Sequence, residues 1–465
     1  MIPLTKPSIN KSDYNFVKKA LKSKILTDGF FQQQTEKLIK NYIKSKFVAL
    51  THSCTAALEV SAILINLKKG DEVIMPSYGF VSVANAVVLR GAKPIFVEID
   101  PLTLNISWQD IQKKITKRTK AVYVIHYAGN SCEIEKISKI TKKNKIYLIE
   151  DAAHAFMAKF KNKFLGTIGD IGVFSFHETK NLVAGQGGCI SINNSSLLKR
   201  ANSILDKGTD RKRFIKNFKK KIIKADNKKF YSWVDIGSEY RASELSSALL
   251  YSQMLKVKKI QKRREIIWKK FDKIIENLKT KKFYLIKPLI GSTSVYHLFV
   301  LIFKNKKLSA QFKSKMQKNN IGATFHYVPL HKSKMGKKYH KIKLPITENI
   351  VNQVVRLPLF SDMTKNEFNP LHQHSGLISG ILMIKVPKEL SQEPITIPLE
   401  SNARCPGMLE WVNTGFGAGF YRKYPVEGEI YLFPAELKHQ VYPFASDVER
   451  ITARFNISEI NFGQD

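Results

Sequence analysis

The chain has 465 residues, of which 43% are hydrophobic, so it is long enough for two or three globular domains and is not disordered. Its net charge of +39 is spread along predicted helices without a nucleic-acid-binding motif, which favours solvated surfaces over a nucleic-acid partner. Four cysteines without a CxxC pair indicate neither zinc nor disulfides, and no apolar run reaches the ~20 residues of a membrane helix. We therefore expect a cytoplasmic protein without a membrane partner, whose basic surface attracts a diphosphate-bearing substrate.

Short apolar strands alternate with amphipathic stretches through most of the chain. The periodicity predicts buried strands at 47–50, 72–75, 94–97, 122–125, 147–149, 171–176 and 189–192. The helical stretches between them are typical of crossovers, so we expect a mostly parallel sheet with helices on both faces. A long helix is predicted from about Ser243 through Arg264, leading into a smaller α/β domain that ends near Phe368.

The charge and the periodicity both change after Phe368. Residues 369–465 contain 8 Lys and Arg against 11 Asp and Glu, a net charge of −3, whereas the preceding 368 residues carry +42. Strands are predicted at 381–384, 430–433 and 450–455. We therefore predict a large domain over 1–242, a small domain over 243–368 and an all-β tail of different origin over 369–465.

A lysine and a carboxylate follow two of the predicted strands. Lys180 lies in Ser175-Phe176-His177-Glu178-Thr179-Lys180, and a lysine at such a strand-to-loop transition can be desolvated and form a Schiff base. Asp151, 29 residues upstream, ends another apolar strand, where its carboxylate can pair with the pyridinium nitrogen of a cofactor. Alone, Lys180 is compatible with a surface residue and Asp151 with a helix N-cap.

Two further loops offer cofactor contacts. Ser53-Cys54-Thr55-Ala56-Ala57-Leu58 follows the first strand, and a helix that begins there presents free N–H groups to a phosphate. The hydroxyls of Thr55 and Ser175 could add hydrogen bonds, although an ordinary capped helix has the same pattern. Phe80, in the loop after the second strand, could stack on a cofactor ring or belong to the core.

Together these motifs resemble the fold type I sugar aminotransferases of the DegT/DnrJ/EryC1/StrS group, from Ile2 to about Phe368. The segments 176–181, 207–211, 233–238 and 325–331 are similar to those of bacterial dTDP-4-amino-4,6-dideoxygalactose transaminases. The resemblance implies a homodimeric enzyme that uses pyridoxal 5'-phosphate to move an amino group from L-glutamate to a dTDP-4-keto-6-deoxyhexose. The dehydratase branch of this fold has histidine in place of the lysine, so Lys180 argues against it.

The resemblance also assigns roles to individual residues. It implies that Lys180 forms the internal aldimine and shuttles the proton, that Asp151 holds the pyridinium, and that His154 touches the ring or its 3-hydroxyl. Phe80 would stack on the ring. The phosphate would be held by Thr55, Ala56 and Ser175, and by Ser238 of a partner subunit where many relatives have asparagine. The residues placed near the substrate are His326, His331 and Arg356, with core packing an equal alternative for Arg356.

The tail resembles a family of 2-oxoglutarate- and Fe(II)-dependent oxygenases in two segments, 371–380 and 432–441. The resemblance implies iron ligands at His372, His374 and His439, and a 2-oxoglutarate-binding Arg450, which follows His439 by 11 residues. Such iron sites typically use two histidines and a carboxylate, and Gln373 stands between the first two histidines. The alternatives are a β-sandwich remnant with surface histidines or an active second enzyme that makes the chain bifunctional.

Overall fold

The computed structural model describes residues 2–211 and 231–363 and, in the tail, residues 378–385, 409–412, 420–424, 426, 429–434, 438–441 and 451–457. The chain divides into two compact units, Met1–Asp362 and Met363–Asp465. Among the described residues, no helix combines the length and the apolar character that crossing a membrane requires.

A seven-stranded sheet forms the centre of the first unit, in the order β1-β9-β8-β5-β4-β2-β3. All its neighbouring strands run parallel except where β9 pairs antiparallel with β1 and β8. The predicted mostly parallel sheet is thus confirmed, and each of its seven predicted strands is present. The strands of this unit are β1(Phe47–Thr51), β2(Glu72–Pro76), β3(Lys93–Val97), β4(Thr119–Ile125), β5(Tyr147–Asp151), β6(Lys159–Phe160), β7(Lys163–Phe164), β8(Ile171–Ser175), β9(Gly188–Ile192), β10(Phe283–Leu285), β11(Ser292–Thr293), β12(Phe299–Phe303) and β13(Val354–Leu357).

Helices cover both faces of this sheet, as alternate side chains of the central strand β4 show. Tyr123 packs into one apolar cluster with helices α3, α4 and α7, and Val122 and Val124 pack into another with α5 and α6. Burial on both sides explains why the sequence shows near-continuous apolar runs. The described helices are α1(Lys11–Lys22), α2(Phe30–Ile43), α3(Cys54–Leu64), α4(Ser82–Val88), α5(Trp108–Lys114), α6(Ile134–Lys143), α7(Leu198–Leu205), α8(Glu244–Leu255), α9(Val257–Asn277), α10(Lys306–Lys318), α11(Lys334–Tyr339) and α12(Pro345–Ile350).

The long helix predicted from Ser243 is two helices in the structure. Ser243 caps the first, its hydroxyl accepting from the amide of Ser246 at 3.2 Å, but the helix ends at Leu255. Lys256 has a non-helical backbone between α8 and α9, and its ammonium pairs with the buried carboxylate of Asp13. The helix is interrupted at the residue that makes this contact. Asp13 is distant from Lys256 in the sequence, so helical periodicity cannot predict the contact.

Beyond α9, a three-stranded antiparallel sheet in the order β10-β12-β13 forms the smaller α/β part of the first unit. Its central strand β12 is buried throughout, and Val300 and Ile302 pack in one apolar cluster with Tyr78 and Tyr127 from the large sheet's loops. This packing fixes β13, which carries Arg356, beside the ends of the parallel strands.

The second unit is all-β within its described residues, as predicted. It contains two three-stranded antiparallel sheets, ordered β17-β14-β19 and β16-β15-β18. The predicted strands 381–384, 430–433 and 450–455 correspond to β14, β17 and β19. The strands of this unit are β14(Ile378–Lys385), β15(Leu409–Val412), β16(Phe420–Lys423), β17(Ile430–Pro434), β18(Lys438–Val441) and β19(Ile451–Ile457).

Candidate active site

A cavity of about 550 Å³ lies where the parallel strands of the large sheet end. Ligands in open α/β sheets bind at this edge, because loops from neighbouring strands converge there. Three lining residues, Ile125, Asp151 and Ser175, are the last residues of β4, β5 and β8. Lys180 lines the same cavity, so the structure brings the predicted lysine and carboxylate together.

The turn that carries Lys180 is held by main-chain hydrogen bonds, one between the ends of β8 and β9 and one within the turn. The amide of Phe176 donates to Gly187 O at 2.8 Å, and that of Lys180 donates to His177 O at 2.9 Å. Burial lowers the pKa of Lys180 to about 8, although Cys54 and Asp151 oppose the shift electrostatically. The amine is therefore a neutral nucleophile at a lower pH than a solvated lysine.

Asp151 is buried at the end of β5, and its Oδ1 accepts a hydrogen bond from the amide of Ala153 at 2.9 Å. Burial raises the pKa of this carboxyl, while that amide, Lys180 and His126 oppose the increase. The neighbouring Glu150 accepts from His126 at 2.9 Å and from three main-chain amides, including that of Gly169 at 2.6 Å. These bonds fasten the end of β5, so Asp151 has a fixed position.

The start of α3 forms another wall of the cavity. Ser53 is the N-cap, and its hydroxyl accepts from the amide of Ala56 at 3.1 Å. Cys54 and Thr55 are the first helical residues, whose amides have no acceptor within the helix, and both line the cavity. A Cβ at Gly188 would lie 2.3 Å from the carbonyl carbon of Ser53, so glycine is needed where β9 passes the helix. The helix start is therefore an anion site placed against the sheet.

Four histidines line the cavity, and for three of them, His154, His297 and His326, hydrogen bonds define which nitrogen is protonated. His154 accepts at Nδ1 from the amide of Ala128 at 3.3 Å. His297 donates from Nδ1 to Asn181 Oδ1 at 2.8 Å, since the Asn181 amide nitrogen is used on Val295 O. Burial lowers the pKa of both histidines, and their rings lie 4.4 Å apart between centroids. Both are therefore neutral, with His154 a donor and His297 an acceptor at Nε2.

The third histidine, His326, is paired with Arg356. Nη1 of Arg356 donates to its Nε2 at 2.8 Å, and its Nδ1 donates to the hydroxyl oxygen of Tyr127 at 3.2 Å. Burial, followed by the charge of Arg356, lowers the pKa of His326 to about 2, so the ring is neutral. Its plane lies 3° from that of His154, with 6.3 Å between the ring centroids.

Most of the residues predicted for the site line one cavity, and three do not. The lining set is Thr55, Phe80, Asp151, His154, Ser175, Lys180, His326 and Arg356. Ala56 is buried behind the wall. His331 is buried away from it, between the Ser77 hydroxyl at 2.6 Å and Glu348 at 3.0 Å. Ser238 is exposed, and Glu239 beside it pairs with Lys207.

Sequence reasoning missed several residues that line the cavity, among them His297 and Ser82. His297 lies two residues before the apolar strand β12 and resembles a part of it in the sequence, yet it lines the cavity. Ser82 begins α4, and its hydroxyl lies 2.8 Å from that of Thr55, which it orients. Ser82 could have been predicted, because it is a polar residue that begins a helix directly after the Phe80 loop. Nothing in the sequence around His297 indicates that it contributes to the site.

The comparisons with known proteins agree with this geometry. The fold and site define an α/β aminotransferase: a lysine and a carboxylate at the ends of parallel strands, opposite a helix N-terminus. Residues 7–372 match the model of the DegT/DnrJ/EryC1/StrS aminotransferase family, and the chain belongs to that family. MJ1066, an uncharacterized protein of Methanocaldococcus jannaschii, is 34% identical over 79% of this chain and 94% of its own. The spore coat polysaccharide biosynthesis protein SpsC of Bacillus subtilis is 29% identical over the same shares.

Solved structures are similar over the same part of the chain. The aminotransferase TlmJ of Streptoalloteichus hindustanus superposes with a TM-score of 0.72 at 26% identity, covering 79% of this chain and 96% of that one. Helicobacter pylori PseC, an aminotransferase involved in the biosynthesis of pseudoaminic acid, gives 0.71 at 26% identity with the same coverage. The chain is thus a sugar aminotransferase that depends on pyridoxal 5'-phosphate, as expected from its sequence.

The residues present fit that cofactor. Cys54 and Thr55, at the start of α3, line the cavity and would offer their free amides to its phosphate, and the buried Asp151 would face its pyridine nitrogen. Phe80 is 59% exposed beside the cavity, so it has a free ring face and is not a core residue. When bound, the cofactor supplies an electron sink for the carbon that loses or gains the amino group. Lys180 is placed to bind it covalently.

The lowered pKa of Lys180 predicts how cofactor capture depends on pH. The rate at which cofactor-free protein takes up pyridoxal phosphate should rise with pH around a midpoint of about 8, because only the neutral amine attacks the carbonyl carbon. Absorbance-monitored mixing across pH 6 to 10 measures that rate. A solvated lysine would give a midpoint near ~10.4, and that result would contradict the desolvated amine.

The tail also matches a family model, that of 2OG-Fe(II) oxygenases, over residues 360–456. The predicted ligands His372 and His374, and the predicted 2-oxoglutarate residue Arg450, lie outside the described residues. His439 lies on β18, where its backbone pairs with Trp411 of β15. Among the residues that the structure describes, no three His, Cys, Asp or Glu side chains are grouped to hold a metal.

Proposed function

We propose that this aminotransferase moves the amino group of L-glutamate to the keto carbon of dTDP-4-keto-6-deoxy-D-glucose, giving dTDP-4-amino-4,6-dideoxygalactose and 2-oxoglutarate. The observation that carries the proposal is the placement of Lys180, Asp151 and the start of α3 around one cavity. The names of SpsC and PseC support a carbohydrate-biosynthetic substrate. The resemblance of segments 207–211 and 325–331 to dTDP-sugar transaminases supports the narrower choice.

Lys180 moves the proton in this reaction. Amino transfer removes a proton from the donor carbon and later places one on the sugar carbon, so one base must reach both positions. The lowered pKa of Lys180 suits that exchange near neutral pH, and its turn is fixed by the main-chain bonds of Phe176 and Glu178. The neutral His154 would hold the cofactor through its Nε2–H, as a hydrogen-bond donor that carries no positive charge.

A homodimer is part of the proposal. Trp233, Val234 and Ile236 are exposed beside Ser238, with 79% of the Trp233 surface accessible. Apolar side chains grouped in this way favour an interface, and Ser238 would then be offered to the phosphate of the partner's cofactor. We further propose that the enzyme works in the cytoplasm, on a nucleotide sugar that serves polysaccharide or lipopolysaccharide synthesis.

The substrate proposal is tested with purified protein, pyridoxal phosphate, L-glutamate and dTDP-4-keto-6-deoxy-D-glucose. The expected result is equimolar 2-oxoglutarate and an amino-sugar nucleotide whose 4-amino group has the galacto configuration by NMR. Parallel reactions with a UDP-linked 4-keto-sugar, and with L-glutamine as donor, test each half of the assignment. Conversion of the UDP-linked sugar alone would contradict the dTDP assignment, and a gluco product would contradict the stereochemistry.

The oxygenase-like tail suggests a second candidate function, a bifunctional enzyme that uses the 2-oxoglutarate released by transamination. The family match over 360–456 favours it. Against it, Gln373 occupies the position where a carboxylate ligand is expected, and the described tail has six strands where a jelly roll needs about eight.

We predict that the tail does not turn over 2-oxoglutarate. Full-length protein with Fe(II) and 2-oxoglutarate should release no more succinate than the His439→Ala variant. If the full-length protein released succinate and His439→Ala abolished that release, the protein would be bifunctional. Deleting residues 369–465 should leave transamination unchanged, because every residue assigned to that chemistry precedes the deletion.

A further inference from the structure

A second cavity, of about 10 Å³, lies beside Lys180 and has room for one water-sized group. Lys180 and His297 line both this cavity and the larger one, so the two cavities meet at these side chains. The apolar part of the small cavity's lining is Ala153, Phe156, Phe176 and Leu182. An amine nitrogen is about the size of a water molecule, so the small cavity can receive the end of a lysine side chain.

His297 presents a lone pair to these cavities because of the residue that follows Lys180. Its Nδ1 donates to Asn181 Oδ1 at 2.8 Å, and the Asn181 amide nitrogen donates to Val295 O at 2.8 Å. With its proton on Nδ1, the neutral ring has an acceptor at Nε2, which forms no hydrogen bond within the described part of the chain. Arg264 also holds the main chain here, donating to His297 O at 2.7 Å.

The small cavity contains further hydrogen-bond acceptors. Gln261 donates its amide nitrogen to Phe156 O at 3.2 Å, which leaves its side-chain oxygen as an acceptor. The Ser175 hydroxyl oxygen also lines the cavity and accepts only a long bond, from the His177 amide at 3.4 Å. A lysine ammonium has three N–H donors and no acceptor, so this set of groups suits it.

We propose that Nε2 of His297 accepts a hydrogen bond from the Lys180 ammonium whenever this amine is not bonded to the cofactor, with the small cavity receiving it. During amino transfer Lys180 must make room for the donor's nitrogen and still remain close enough to carry the proton. A fixed acceptor beside the cofactor cavity meets both requirements. The proposal rests on amino transfer as proposed above, but not on which donor or sugar is used.

The test measures the midpoint pH of Lys180 reactivity in full-length protein loaded with pyridoxamine 5'-phosphate, a cofactor form to which no lysine is bonded. Trace labelling with acetic anhydride across pH 6 to 10, read by mass spectrometry, follows the neutral amine. Exposed Lys199 in the same digest is the internal reference. The charges that face Lys180, from Cys54, Asp151 and Arg356, are the same in every variant.

Two substitutions separate the two nitrogens of the ring. His297→Asn places an amide nitrogen where Nδ1 lies, so it can keep the bond to Asn181, but it has no atom in place of Nε2. His297→Gln places its amide oxygen where Nε2 lies, so it keeps an acceptor and loses the donor to Asn181. Cofactor content and circular dichroism report on loading and folding.

We expect His297→Asn to lower the midpoint for Lys180 by about one pH unit, because the ammonium loses a charge-assisted hydrogen bond. His297→Gln should remain near the wild-type midpoint, and Lys199 should not change. In the holoenzyme, His297→Asn should slow both half-reactions at least about 10-fold, because a misplaced reacting group costs up to about 100-fold. The half-saturating concentrations of donor and sugar should change less than about 3-fold, since His297 acts on Lys180 and not on the substrates.

Three results would overturn the proposal. The first is an unchanged midpoint in His297→Asn. The second is a midpoint raised toward the ~10.4 of a solvated lysine, which would mean that the ring only excludes water. The third is an equal decrease in both variants, which would assign the effect to the packing of the ring.

If His297→Asn does not fold, Asn181→Leu replaces it. This variant frees the ring to carry its proton on Nε2, so the same decrease in the Lys180 midpoint is expected, and an unchanged midpoint would again overturn the proposal. The labelling uses neither donor nor sugar. If glutamate and the dTDP-linked sugar do not react but the midpoints shift as expected, the substrate proposal fails and the assignment of His297 stands.

Discussion

Lys180→Ala should reduce transamination at least about 10⁴-fold, the upper range for one positioned general base, because the same amine also anchors the cofactor. Lys180 lines the cavity with Asp151, and burial lowers its pKa to about 8, so no solvated lysine can substitute for it. Steady-state release of 2-oxoglutarate measures the loss.

Lys199→Ala is the matched control, since Lys199 is exposed on α7 and should retain full activity. The non-covalent phosphate contacts at α3 are unaffected by Lys180→Ala, so this variant should still bind pyridoxal phosphate reversibly. A modest general base accelerates a reaction about 100-fold. If Lys180→Ala lost no more activity than that, another residue would move the proton.

Asp151→Asn should have the second largest effect. A neutral amide cannot compensate the protonated pyridine nitrogen, and breaking a buried ion pair costs about 3–5 kcal/mol, roughly 150- to 5,000-fold in rate. Asp151 is buried and receives the amide of Ala153, so the isosteric substitution leaves the strand end in place. The measurement is the rate of each half-reaction, together with cofactor content.

Asp151→Glu is the informative companion to that variant. Asp151→Glu keeps the negative charge but lengthens the side chain. The end of β5 cannot shift to accommodate the added length, because Glu150 accepts hydrogen bonds from three main-chain amides there. It should recover part of the activity lost in Asp151→Asn. Equal activity of wild type and Asp151→Asn would show that the carboxylate does not act on the cofactor ring.

Local sequence was sufficient to predict the parts of this site that lie on the large sheet. Asp151 ends an apolar strand, Lys180 follows another, and Ser53 precedes a helix, so chain order and strand periodicity place all three at one sheet edge. The structure agrees because parallel strands present their ends to a common surface. Their chemistry could also be predicted, because a lysine, a carboxylate and a helix N-terminus each have a distinct use at such a sheet edge.

The remaining features depend on contacts between distant segments. The His297 ring is held by a hydrogen bond to Asn181, which is 116 residues away in the sequence. The apolar residues that flank His297 in the sequence do not indicate this contact. The break at Lys256 coincides with its pairing with Asp13. His331 looked like a substrate residue because it shares a motif with His326, yet both of its ring nitrogens bind other parts of the fold.

The role of Arg356 could not be predicted from the sequence either. Its presence in a matched motif placed it near the substrate or in the core, and the sequence could not separate the two. The distinction lies in which of its nitrogens are bonded: Nη1 contacts His326, and among the described residues Nε is buried without a partner. That information exists only once β13 is packed beside the large sheet.

The most direct test of the central claim is the site of covalent cofactor attachment. The purified holoenzyme is reduced with borohydride, digested and analysed by mass spectrometry. The expected result is loss of the visible absorbance band and a phosphopyridoxyl group on Lys180, the lysine that lines the cavity with Asp151. A phosphopyridoxyl group on any other lysine, or none after reduction of fully loaded protein, would contradict this active-site assignment.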